Sequence, residues 1–93
     1  MNLKINPTDI KTLIESYDEK DTDCIIFEEP AELIQAFSKF KRYGGLQERA
    51  NLMEEMADVY ITLEMLKVIY NIEDREVNYW IDKKMQRNLE RVK

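Results

Sequence analysis

The hydrophobic positions of this chain recur with helical spacing almost from end to end. Asn6, Pro7 and Asp9 read as an N-cap, a proline at the first helical position and an acid in the first turn. A short helix is therefore predicted over about 7–17. The polar run DEKDTD reads as a turn, with Asp21 or Thr22 capping the next helix. That second helix is predicted over about 22–42, with Ile26, Leu33, Phe37 and Phe40 on its buried stripe. Pro30 falls inside it, where it removes the hydrogen bond to the Ile26 carbonyl and kinks the helix, at a cost of ~3 kcal/mol. The alternative starts the helix at Pro30 and leaves DCIIF extended, but such a strand has no pairing partner. A kinked helix is the preferred reading.

Gly44-Gly45 stops the second helix. The third is predicted over about 47–70, ending at Asn71. Its residues Leu52, Met56, Val59, Leu63, Leu66 and Tyr70 step by four, three, four, three and four, the spacing of a heptad seam. Ile61, Met65, Val68 and Ile69 add a second apolar flank, too much for a helix with one dry face. A fourth helix is predicted over about 73–92, with Val77, Trp80, Ile81, Met85 and Leu89 inward. The expected fold is all-α: one domain over 1–93, a four-helix bundle built on a central antiparallel hairpin. The doubly apolar third helix predicts at least a homodimer.

Acids interrupt this pattern at two places. In FEEPAEL, Glu29 and Glu32 lie among Ile25, Ile26, Phe27, Leu33, Ile34 and Phe37. In LMEEMADVYITL, Glu55 and Asp58 lie three apart in an equally apolar setting. A spacing of three puts both members of a pair on one helix face. The first pair lies about 14 residues before the Gly-Gly turn, or ~21 Å of helix, and the second about 12 residues after it, or ~18 Å. In a hairpin the two pairs face each other within about one turn. Each spacing is also common on solvated helix faces, and one pair alone would be read that way. Four level carboxylates raise one another's pKa unless a cation joins them. All-oxygen ligation suits Mg²⁺, or Mn²⁺, rather than Zn²⁺. Glu28 and Glu54 fall on other faces and read as solvent residues, or as a base if a second metal binds.

Composition narrows the chemistry. The chain has 93 residues, no histidine and a net charge of −5. Without imidazole, the usual Ser-His and Cys-His nucleophiles and the Glu-x-x-His pairs of di-iron bundles are excluded. The negative balance argues against nucleic acid as a partner. A single cysteine, Cys24, makes the cytoplasm the expected compartment. The opening MNLKINPTDI has no signal-type apolar core, and no run approaches membrane-spanning length, so no membrane partner is expected. In the fourth helix Lys84, Asn88 and Arg91, spaced four and three, read either as a solvated face or as a face for phosphates and a sugar or base. Lys39, Lys41 and Arg42 near the turn read as solvated. Tyr79 and Trp80 could stack on a base, but Trp80 falls on the apolar stripe and reads as core.

Taken together, FEEPAEL, MEEMADVYITLEML and KMQRNLER resemble the motifs of the MazG-like all-α nucleoside triphosphate pyrophosphohydrolases, in particular the short phage and Gram-positive types. The resemblance covers about 24–92. It implies Glu29, Glu32, Glu55 and Asp58 as catalytic Mg²⁺ ligands, with Lys84, Asn88 and Arg91 on the phosphate side. It implies hydrolysis of a nucleoside triphosphate to the monophosphate and pyrophosphate by a homodimer or homotetramer. The rival expectation is a non-catalytic helical assembly module, which has no need of four level carboxylates.

Overall fold

The computed structural model describes residues 3–93 as four helices: α1 (Pro7–Ser16), α2 (Glu19–Tyr43), α3 (Leu46–Ile69) and α4 (Asp74–Arg91). Among the described residues there is no strand. Asn6 caps α1 as expected, its Oδ1 accepting from the Thr8 N–H at 2.8 Å. The DEKDTD run is not a turn. Asp18 is the N-cap, its Oδ1 accepting from Asp21 N–H at 2.8 Å, and α2 starts at Glu19. The earlier cap lengthens the helix by about one turn, and its carboxylate takes up an N–H of the first turn that has no partner within the helix. The helix then runs through Pro30 without a break, so DCIIF is helical rather than extended.

Gly44 ends α2 in the left-handed region (φ 66°), its N–H donating to the Phe40 carbonyl at 2.8 Å. Gly45 is the N-cap of α3, and the reversal lays α3 back along α2. The packing stripes differ from the predicted ones. On α2 the inward line is Glu29, Leu33, Ala36 and Phe40, while Ile34 and Phe37 are exposed. On α3 the deepest line is Glu55, Asp58, Thr62 and Met65, with Thr62 and Met65 the helix's two fully buried residues. Leu52, Val59 and Leu66 of the predicted seam are half-buried, whereas Met56, Leu63 and Tyr70 are exposed. The helix is rotated so that Glu55 and Asp58 share the seam with Leu52, Val59 and Leu66, half of the predicted row. α1 packs on α3 through Ile10, which is 3% exposed.

α4 departs most from expectation. All its residues are exposed, including Val77, Trp80, Ile81, Met85 and Leu89, which were predicted to point inward. Its N-terminal turn is tied to α3 through Lys67, whose ammonium pairs with Glu64 at 2.9 Å and with Asp74. A capping box links Glu73 and Glu76. Beyond that turn Val77, Asn78 and Ile81 face Tyr60 and Leu63 of α3 across an open groove of about 420 Å³. The radius of gyration is 15.6 Å, against roughly 12 Å for a compact chain of this length. The accessible surface is 7980 Å², roughly 2,300 Å² more than a monomer of this mass ordinarily exposes. The hairpin with α1 is present as predicted, and the fourth helix does not close the bundle within one chain.

Candidate metal centre

The four predicted acids occupy the middle of the α2–α3 hairpin. One carboxylate oxygen from each of Glu29, Glu32 and Glu55 lies within 4.8 Å of the others. Asp58 stands outside this trio but beside it: its charge bears on both Glu29 and Glu55, and it shares a cleft with Glu29. Its backbone carbonyl accepts from the buried Thr62 hydroxyl at 2.8 Å, which ties that turn of α3 into the core.

Local folding produces this convergence. Glu29 and Glu55 lie on the interhelical seam, Glu29 one turn before Leu33 and Glu55 seven residues before Thr62. They are held inward by the apolar residues on either side. Both are half-buried, whereas Glu32, one turn beyond Glu29 at the rim, is exposed. Glu28 and Glu54 are exposed, as expected.

The electrostatics are unfavourable for a bare cluster. Burial, then the charges of Asp58, Glu32 and Glu55, push the Glu29 carboxyl above the ordinary glutamate value. Burial, then Glu32 and Asp58, do the same for Glu55. The Oε2 atoms of Glu29 and Glu55 are buried without a hydrogen-bond donor. A hydrogen bond from either to Glu32 forms only when one carboxyl of the pair carries a proton, so in the ionised cluster both oxygens have no partner. Inward acceptors without donors are what a cation satisfies, and hard carboxylate oxygens match Mg²⁺ or Mn²⁺.

Two clefts flank the acids. One, of about 330 Å³, is lined by Leu13 and Tyr17 of the α1 region, Ile25 and Glu29 of α2, and Asp58, Ile61, Thr62 and Met65 of α3. The other, of about 320 Å³, contains Glu32, Gln35, Lys39, Asn51, Glu54 and Glu55. Lys39, exposed as expected, thus also lines the second cleft beside the acids. Its position seven residues after Glu32, two turns along the same face, was the available sequence signal.

The structure does not bring Lys84, Asn88 and Arg91 to the acids. They lie on the exposed α4 and line neither of the clefts that flank the acids. Trp80 is 61% exposed and packs edge-on against Tyr79, so it is not core. Among the described residues no helix is long and apolar enough to cross a membrane. Comparison with family models, curated proteins and solved structures finds no match to this chain.

Proposed function

We propose that this chain is a metal-dependent pyrophosphohydrolase of nucleoside triphosphates, of the MazG-like type. The observation that carries the reading is the trio Glu29, Glu32 and Glu55, whose oxygens converge while two buried ones lack any donor. These three would hold Mg²⁺, or Mn²⁺, with Asp58 next to them. The cation supplies Lewis-acid polarisation and charge neutralisation at the triphosphate. The chain's own part is to fix three carboxylates on two rigid helices and to accept a proton. Water attacks the α-phosphorus in line, and the bond to the oxygen bridging the α- and β-phosphorus breaks. Pyrophosphate leaves, and a carboxylate of the cluster takes the water's proton.

The leaving pyrophosphate needs cationic groups. Lys84 and Arg91 provide them from α4 of a second copy, and Asn88 between them adds an amide N–H donor. The surplus exposed surface supports such an assembly, being above the roughly 800 Å² per partner of an ordinary stable interface. The C-terminal half of α4 is rich in cations (Lys83, Lys84, Arg87, Arg91) and complements the acidic hairpin. The homodimer or homotetramer is part of the proposal for this reason.

The test is a panel of nucleoside triphosphates incubated with Mg²⁺ and scored for monophosphate and pyrophosphate. Release of both in equal amounts is expected, together with a higher melting temperature in millimolar Mg²⁺. The exposed apolar face of α4 favours one second reading, a non-catalytic assembly module. No turnover and a melting curve indifferent to Mg²⁺ would establish that reading instead.

A further inference from the structure

If the triphosphate is held at the acid trio, the clefts this chain itself offers the nucleoside are the two that flank the trio. The cleft beside α1 offers little to read a base with. Its walls are mostly apolar, and the Thr62 hydroxyl already donates to the Asp58 carbonyl at 2.8 Å. The other cleft is polar. With Glu32 and Glu55 committed to a cation, the remaining charges in it are Lys39 and Glu54, which cancel. A neutral polar cleft suits a base better than a phosphate.

The unused groups in that cleft are the Lys39 ammonium, the Asn51 and Gln35 amides and the Glu54 carboxylate. Three carboxylates line it together with Lys39, yet the Lys39 ammonium forms no ion pair among the described residues. Gln47 Nε2 donates to Asn51 Oδ1 at 2.9 Å, which occupies the Asn51 acceptor and leaves its amide N–H groups unused. Lys39 comes from α2 and Asn51 from α3, so the hairpin sets them across the cleft from two rigid elements.

We infer that Lys39 and Asn51 read the nucleobase and select one with a carbonyl oxygen on each side of a ring N–H, the N–H donating to Gln35 or Glu54. This rests on the pyrophosphohydrolase reading and deepens it. Uracil presents two ring carbonyls to such donors. Cytosine replaces one of them with an amino group, which brings a donor against a donor. A site that hydrogen-bonds a polar group discriminates strongly against an analogue that cannot pair.

The experiment measures binding of the α,β-methylene analogues of UTP and CTP by calorimetry, in Mg²⁺, for the wild type, Lys39→Met and Asn51→Asp. Both side chains are exposed, and melting curves verify that the variants fold. The wild type is expected to prefer the uridine analogue by about tenfold or more, one lost or mismatched hydrogen bond. In Lys39→Met that ratio falls towards one. In Asn51→Asp, where an acceptor replaces the donor, it shifts towards cytidine. A wild-type ratio of one would overturn the base-reading role and leave the catalytic reading standing. So would a Lys39→Met variant that loses both analogues and inorganic pyrophosphate in parallel, because Lys39 would then be a phosphate contact. Failure of the wild type to bind either analogue would overturn the pyrophosphohydrolase reading itself.

Discussion

α2 and α4 are amphipathic to a similar degree along the sequence, yet the chain buries part of the first and none of the second. In the hairpin the Gly44-Gly45 reversal makes α2 and α3 neighbours, so Ala36, Thr62 and Met65 find partners at once. At the α3–α4 junction, Tyr70 and Asn71, the latter at φ 54°, turn the chain, and Lys67 pins only the first turn of α4. Val77, Ile81, Met85 and Leu89 are left in solvent. The apolar period therefore states which residues need cover but not which molecule provides it. In the hairpin the cover is internal. For α4, on the proposed reading, it is a second chain.

The largest expected effect tests what the hairpin is for. Glu55→Gln keeps the shape of a seam residue and removes one of three converging charges. Pyrophosphate release should fall about a thousandfold or more, the several kcal/mol a well-placed cation supplies, with helicity unchanged. Asp58→Asn, outside the trio, should cost less, about 10- to 100-fold, as expected of a group that orients or supports the ligands. Equal losses in the two would make Asp58 a ligand of the same rank. No loss in either would detach the acid cluster from any activity.

The next test sets the two regions against each other by the same kind of truncation. Met65 is 2% exposed, and Met65→Ala should destabilise the chain by about 2–5 kcal/mol at any concentration. Ile81 is 50% exposed, and in dilute protein Ile81→Ala should change stability by no more than about 0.5 kcal/mol. At concentrations where the wild type self-associates, Ile81→Ala should shift the light-scattering mass towards monomer. Denaturant melts over a hundredfold concentration range separate the cases. If Ile81→Ala is as costly as Met65→Ala at the lowest concentration, α4 is buried within its own chain and the contrast fails.

Much of this was legible in the sequence, and the parts that were not have identifiable causes. Element type and number followed from period, caps and the Gly-Gly break, because these are local signals. The start of α2 was misplaced because Asp18, Asp21 and Thr22 are all competent caps and composition does not rank them. The placement of the acids at one level followed from counting residues to a tight turn, a distance that helix geometry fixes. Helix rotation did not follow. Leu52, Met56, Val59, Leu63, Leu66 and Tyr70 make the longer apolar row, but the observed seam runs through Glu55, Asp58, Thr62 and Met65. Period arithmetic counts apolar residues and so penalises the row that carries the acids. The inward placement of α4 failed because its stripe is exposed within the chain, and on the proposed reading a second chain covers it.

The smallest expected effect concerns pH, and it belongs to the hairpin alone. Glu29 and Glu55 are held above their ordinary value of 4.5, chiefly by burial and then by neighbouring carboxylates. Between that value and the raised one, the folded chain binds more protons than the unfolded chain. Stability of the metal-free protein should therefore be greatest at the acid side of this window and decline as pH rises through it, the opposite of a salt-bridged carboxylate. Above the raised values the decline from these groups is complete. Because both groups are only half-buried, the slope should be modest. Replacing both with Gln should flatten it, and should raise the melting temperature in chelator at neutral pH by removing the repulsion. Adding Mg²⁺ should reverse the trend, since the cation competes with protons for the same oxygens and binds better as pH rises. Urea melts in chelator and in Mg²⁺, from mildly acidic to neutral pH, provide the measurement. A pH dependence that the double Gln replacement leaves unchanged would mean that these two carboxylates are not held above their ordinary value, and a metal between them would lose its electrostatic basis.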